Sequence, residues 1–327
     1  MILILVEHGG GRPERLSLEA LALASRIAAA TGGPIEAVLV GSEAREAAGL
    51  LGGRGVEVVH AVEHDRLVAF APTAWAAALV QLIGDRSPAV VLAAGSDRGN
   101  EVMAHVAARL ELPLATQCTD VTPGDPLRLT RQRWAGSLLE DAVLDAPTKL
   151  LTVAPHTFAI EDAASGADAA SPRVQPFAPD LTESDLRVAV TRRLEPDRTG
   201  VSLGDARVVV GGGRGVGSAE AFAELEELAS LLGGAVGVSR VVTSNGWRPH
   251  AMQIGQTGLR IAPDLYIACG ISGAIQHIVG AKAAKRILAI NTDRDAPIMS
   301  VADYAVIGDL HQVVPAISAE LRRLRDG

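Results

Sequence analysis

The chain has 327 residues, 48% hydrophobic and 21% charged, which is enough to bury sizeable cores and too apolar for wholesale disorder. Thirty Lys and Arg against 38 Asp and Glu leave a net charge of −8, and only 3% of residues are aromatic, so the clustered cations and stacking rings of a nucleic-acid surface are missing. Cys118 and Cys269 stand far apart and outside any metal-ligand spacing; both read as buried small hydrophobes, with no disulfide framework and no metal site.

The opening Met1–Glu7 is too short and too soon acidic for a signal peptide, and no apolar run approaches the roughly 18 residues of a membrane helix. A cytoplasmic protein without membrane insertion is expected. At roughly 100–200 residues per domain, the length suggests two domains.

In the first half, strand and helix signals alternate. Ile2–Val6 is a continuous apolar run, as a buried parallel strand would be. Ser17–Ala30 has helical spacing and ends at Gly32-Gly33. Strands follow at Ile35–Val40 and Val56–His60, a helix at Pro72–Ile83, a strand at Ala89–Ala94 and a helix at Val102–Leu110. Leu112–Cys118, Leu127–Trp134 and Lys149–Val153 return to the sheet. Periodicity fails from Ala154 to Asp185, where Glu161–Pro179 reads as a partly extended linker, and Leu186–Thr191 reads as a last strand. The polar joint Pro196–Gly204 sets an expected boundary between domains 1–196 and 197–327.

The second half restarts the pattern. Strands are expected at Ala206–Val210, Ala235–Val238, Leu265–Cys269, Ile287–Ile290 and Tyr304–Ile307. Helices are expected at Ala219–Leu232, Ser272–Ala284 and Leu310–Arg325, the last with basic residues at its C-terminal end. The fold class is α/β, with two domains, each a mostly parallel sheet covered by helices on both faces.

Chemistry concentrates at strand ends. The loop Gly211–Ser218 follows a strand and opens a helix, a context in which backbone N–H groups can hold a phosphate, yet it fits neither G-x-G-x-x-G nor the P-loop pattern. Tight packing is the equal alternative; Arg214 supplies a cation in either case. Gly255-Gln256-Thr257-Gly258 can bring polar donors to a planar ligand or be a plain turn. Cys269–His277 reads as a strand end, a glycine, Ser272 at a helix N-cap, then Gln276 and His277 one turn in, with a structural histidine the equal alternative to a ligand contact. Arg240, Asn291 and Asp309 also follow strands, so polar residues converge on one rim, where ligands of open parallel sheets bind. In the first domain, Ala94–Gly99 is either an anion-binding loop or a capped helix start. There is no nucleophile elbow, no H-E-x-x-H and no catalytic triad pattern, so no catalytic residue is assigned.

The stretch Leu265–His277 running on to Ile290-Asn291-Thr292-Asp293 resembles the signature of the electron transfer flavoprotein alpha subunit family. Gly212-Gly213-Arg214-Gly215, Ser239-Arg240 and Ile254-Gly255-Gln256-Thr257-Gly258 stand upstream in the family's order, and Ile2–Glu7, Arg98–Leu110 and Leu127–Val153 fit more loosely. The resemblance implies an FAD-binding second domain of Rossmann-like fold and a first domain that contacts a beta subunit in a heterodimer. It implies an electron carrier without substrate chemistry of its own. Such a carrier takes electrons from dehydrogenases, typically acyl-CoA dehydrogenases of fatty acid β-oxidation, and passes them to a quinone-linked oxidoreductase. It further implies that Arg214 meets the FAD phosphates and that Ser239 and Arg240 approach the pyrophosphate and ring edge. Ile254, Gly255, Gln256 and Thr257 would line the ring, with the Thr257 hydroxyl near N5. Ser272, Gly273, Ala274, Ile275, Gln276 and His277 would contact the cofactor, with His277 near the C2 carbonyl. Asn291, Asp309 and Leu310 would lie about the adenosine. Two other readings stand beside it: a self-sufficient flavin- or nicotinamide-dependent oxidoreductase, and a nucleotide-binding regulatory protein.

Overall fold

Ile2–Leu5 forms the first strand, β1, with all four side chains buried. Ile2 and Ile4 point into one core cluster and Leu3 and Leu5 into another, because successive strand residues face opposite sides of a sheet. Burial on both faces is why a parallel strand reads as a continuous apolar run. The computed structural model describes residues 1–160, 171–190 and 201–326. The chain divides into two compact units, Met1–Arg193 and Leu194–Gly327; the expected boundary at 196/197 falls outside the described residues.

In the first unit, a two-residue hairpin, β2 (His8–Gly9) and β3 (Arg12–Pro13), leads into α1 (Arg15–Thr31). There follow β4 (Ile35–Val40), α2 (Ala44–Gly49), β5 (Val56–Val62), α3 (Pro72–Arg86), β6 (Val90–Ala94) and α4 (Asp97–Leu110). The remaining strands are β7 (Leu114–Thr122), β8 (Leu127–Arg133), β9 (Leu138–Leu144), β10 (Lys149–Val153) and β11 (Arg173–Phe177). They make one nine-stranded sheet in the order β11-β5-β4-β1-β6-β10-β7-β8-β9. All pairings are parallel except β7–β8 and β8–β9.

α1 ends as its glycines suggest: Gly32 is left-handed, at φ 68°, and its N–H donates to the Ala28 carbonyl at 2.8 Å. α4 starts five residues before its apolar spacing does. The Gly99 N–H donates to Ser96 Oγ at 2.9 Å, so the polar first turn is held by its cap, and Ala94–Gly99 is a capped helix start. Besides the β2–β3 hairpin, two strands of the large sheet are unanticipated. β9 is a polar-faced edge, and β11 is a short edge strand inside the stretch read as linker, paired parallel with β5. The expected strand Leu186–Thr191 is not formed over 186–190, which are turn, bend and loop. Just ahead of that segment, Arg109 pairs with Asp185.

The second unit runs β12 (Val208–Gly212), α5 (Ala223–Leu231), β13 (Ala235–Val238), α6 (Arg240–Ser244) and β14 (Leu265–Cys269). α7 (Ile275–Ala281), β15 (Ile287–Asn291), β16 (Tyr304–Ile307) and α8 (Leu310–Asp326) complete it. The sheet is wholly parallel, in the order β13-β12-β14-β15-β16. Val209, Tyr266, Ala268 and Ala289 pack on one face; Val210, Ile267, Cys269 and Ile290 pack with α5 and α8 on the other. The chain reverses its direction of strand addition between β12 and β14. That opens a crevice beyond their carboxyl ends, where ligands of such sheets bind.

Candidate functional site

The crevice is built by two loops that interleave. The Gly213 N–H donates to the Cys269 carbonyl at 2.9 Å and the Gly215 N–H to the Gly270 carbonyl at 3.0 Å. A Cβ on Gly213 would overlap the Gly270 carbonyl oxygen, so the sequence needs glycine there for close backbone approach. The amides of Val216 and Gly217 bond back to Gly213 and Arg214. The amides of Gly213, Gly215, Val216 and Gly217 are therefore spent on packing. The loop's offer to an anion is the exposed Arg214 side chain. Two 3₁₀ turns, Arg214–Val216 and Glu220–Phe222, precede α5, so the expected helix start at Ala219 moves to Ala223.

Beyond β13, the Ser239 N–H donates to the Gly212 carbonyl at 3.0 Å and sets Arg240 at the first position of α6. Arg240, Thr243, Ser244, His250, Gln253 and Thr257 line a cavity of about 370 Å³. The Thr243 hydroxyl lies 2.9 Å from the Arg240 carbonyl and 2.6 Å from Gln253 Oε1, and Gln253 Nε2 donates to Thr257 Oγ1 at 3.0 Å. Neither Arg214 nor Arg240 makes an ion pair among the described residues, so both cations are uncommitted. Thr243, Ser244, His250 and Gln253 escaped sequence reasoning. Thr243 and Ser244 close the five-residue α6 and His250 opens a 3₁₀ turn, elements too short to show periodicity, and the buried Gln253 gave no signal beyond adjoining Ile254 and Gly255.

The two glycine-bearing loops of the sequence meet here. The Gln256 N–H donates to the Gln276 carbonyl at 2.8 Å, placing Ile254, Gly255, Gln256 and Thr257 against Gln276 and His277. His277 is only 6% exposed. Its Nε2 lies 2.7 Å from the Tyr266 hydroxyl, while its buried Nδ1 makes no hydrogen bond of good geometry. Burial pushes the imidazole pKa down to about 4, partly offset by the Ile254 backbone, so the ring is neutral. Burial pushes the Tyr266 phenol up, which keeps its hydrogen in place.

α7 is shorter than expected. Gly270 and Gly273 are left-handed, at φ 61° and 81°, and residues 271–274 precede the helix as a loop. Ala274 therefore occupies the N-cap position in place of Ser272, whose carbonyl instead accepts the Ile298 N–H at 3.0 Å. Ser272, Ala274, Ile275 and Gln276 are exposed, and Gly273 is buried against Ile298. Asn291 is committed to the backbone: Nδ2 donates to the Ile271 carbonyl at 3.0 Å and Oδ1 accepts the Asp293 N–H at 3.1 Å. Asp309 accepts the His311 N–H at 3.0 Å at the start of α8, and the buried Leu310 would be struck by a Cβ on Gly270. The structure thus joins residues 254–257 to 276–277 and the 213–215 loop to 270. A larger concavity of about 530 Å³ lies along α8 between Gln312 and Leu321 and includes none of these residues.

Residues 2–180 match the electron transfer flavoprotein domain, and residues 202–282 match the electron transfer flavoprotein FAD-binding domain. An electron transfer flavoprotein subunit alpha of Clostridium acetobutylicum is 36% identical over 324 residues, covering 98% of this chain and 96% of that one. One of Bacillus subtilis is 33% identical over 324 residues, covering 99% and 98%. One of Mycobacterium tuberculosis is 36% identical over 324 residues, covering 98% of each. The chain belongs to the electron transfer flavoprotein alpha subunit family. FAD is its cofactor and electron transfer its role. Among the described residues there is no cluster able to hold a metal ion, and no helix is long and apolar enough to cross a membrane.

Proposed function

We propose that this chain is the FAD-carrying half of a heterodimer with an electron transfer flavoprotein beta subunit. It takes electrons from a dehydrogenase, of the acyl-CoA class typical of the family, and passes them to a quinone-linked oxidoreductase in the cytoplasm. Residues 1–196 serve the partner subunit and residues 197–327 the cofactor. The observation that carries this reading is the cavity of about 370 Å³ lined by Arg240, Gln253 and Thr257.

That surround suits the cofactor. FAD, when bound, supplies reversible redox chemistry on a planar, hydrogen-bonding ring. Arg214 offers charge to the phosphates, and Ser239 and Arg240 to the pyrophosphate and ring edge. The Thr257 hydroxyl would meet N5, and the His277 Nδ1 would meet the C2 carbonyl. Arg240 and His277 favour the negative charge that reduction brings. Gln256 and residues 272–276 border the ring, and Asn291, Asp309 and Leu310 shape the adenosine end.

Co-expression of this chain with its cognate beta subunit tests the reading. The pair is expected to co-purify with bound FAD and to couple a donor dehydrogenase to a quinone-linked acceptor. A stable flavin-loaded homodimer that turns over a small substrate unaided would overturn it.

A further inference from the structure

The Thr243 hydroxyl has one hydrogen and two acceptors within reach: the Arg240 carbonyl at 2.9 Å and Gln253 Oε1 at 2.6 Å. At the other end of the same amide, Nε2 lies 3.0 Å from Thr257 Oγ1. Gln253 is 2% exposed, and its main chain is fixed by bonds from the Leu259 N–H at 2.7 Å and to the His250 carbonyl at 2.9 Å. The two ends of a side-chain amide are nearly isosteric, so the group can turn by half a revolution in place.

Both orientations close the chain of bonds. In one, Thr243 O–H donates to Oε1, Nε2–H donates to Thr257 Oγ1, and the Thr257 hydrogen is free to point into the cavity. In the other, Thr257 O–H donates to Oε1, Nε2–H donates to Thr243 Oγ1, and Thr243 O–H turns to the Arg240 carbonyl. Thr257 then presents lone pairs to the cavity. No heavy atom of the backbone moves and no proton changes owner. A single acceptor for Thr243 would have allowed one arrangement; two acceptors allow both.

We propose that Thr243, Gln253 and Thr257 form a reversible hydrogen-bond relay that lets Thr257 act as donor toward one redox state of the flavin and acceptor toward the other. The inference rests on the cofactor placement proposed above. An oxidised flavin N5 accepts a hydrogen bond, and a reduced N5–H donates one. Fixed polarity at Thr257 would match one state and oppose the other. Gln253 is nearly buried and its Nε2 is bonded to Thr257 Oγ1, so it acts through Thr257 as a positioning residue.

The test is a reduced-minus-oxidised infrared difference spectrum of the FAD-loaded heterodimer with isotopically labelled glutamine. The relay predicts a glutamine carbonyl band that changes on reduction, disappears in Gln253→Leu and loses its redox dependence in Thr257→Val. Thr257 is exposed, so its variant keeps the proposal open to test if Gln253→Leu does not fold. A flavin-loaded wild type with no glutamine band overturns the relay alone. A redox-dependent band that persists in Thr257→Val also overturns it, because the signal then belongs to another glutamine such as Gln256. Purification of the pair without FAD overturns the cofactor placement, and the relay with it.

Discussion

The Tyr266 hydroxyl stands 2.7 Å from Nε2 of His277, with both side chains buried in the second unit. Space for that hydroxyl exists because position 211 is glycine; a Cβ there would overlap it. A phenol that donates to Nε2 leaves the imidazole hydrogen on Nδ1, the nitrogen that makes no hydrogen bond of good geometry. Strand β14 thus orients, from below, the histidine that α7 holds at the rim.

Tyr266→Phe should remove that bond and strand Nε2. Leaving a buried polar group unsatisfied costs about 1–3 kcal/mol. Flavin-free protein carrying the variant should melt lower by that order, and Gly211→Ala should be worse. Thermal unfolding coincident with wild type would mean that the contact contributes nothing.

The two units should respond to pH in opposite senses. His277 falls from an ordinary 6.5 to about 4 by burial, so its contribution is full above pH 6.5 and is lost as pH drops through about 4. Glu7, 2% exposed after β1, is pushed up from 4.5 to about 7 by burial, less the opposing hydrogen bond from Ser96. Its contribution is full below pH 4.5 and is lost as pH rises through about 7. Each shift corresponds to on the order of 3 kcal/mol. Glu7→Gln should therefore match wild type in urea unfolding at about pH 4.5 and exceed it at about pH 8. Equal midpoints at both would show that Glu7 titrates normally.

Much of the fold was legible because buried parallel strands are continuous apolar runs. Ile35–Val40, Lys149–Val153, Ala235–Val238, Leu265–Cys269 and Tyr304–Ile307 form at the residues expected. Edge strands carry no such run, which hid Leu138–Leu144 and Arg173–Phe177. α7 was overextended because helical spacing continues on both sides of the seven residues that are helical, while Gly273 at φ 81° delays its start. Of the candidate site, Arg240 just past β13 and His277 at the start of α7 were visible from position alone. His250, Gln253 and Tyr266 were not, since their roles come from tertiary approach. Nor does a glycine run reveal whether its amides face a ligand or, as at Gly213 and Gly215, a neighbouring carbonyl.

That last distinction can be measured. Gly213→Ala places a methyl group on the Gly270 carbonyl and should cost several kcal/mol by forcing the two loops apart. Gly217→Ala meets no atom within 4 Å and should cost only about 1–2 kcal/mol for its left-handed φ of 87°. Comparable losses at the two positions would refute the interleaved packing.

The central claim is that FAD lies on the second unit beside Arg240, Thr257 and His277. It is tested most directly by redox titration of the purified heterodimer, wild type against Arg240→Ala, at known flavin content. The account predicts equimolar FAD in both. It also predicts a flavin harder to reduce in the variant, by up to about 1 kcal/mol for the loss of an exposed charge. Titrations that superimpose, or a folded heterodimer without flavin, would contradict it.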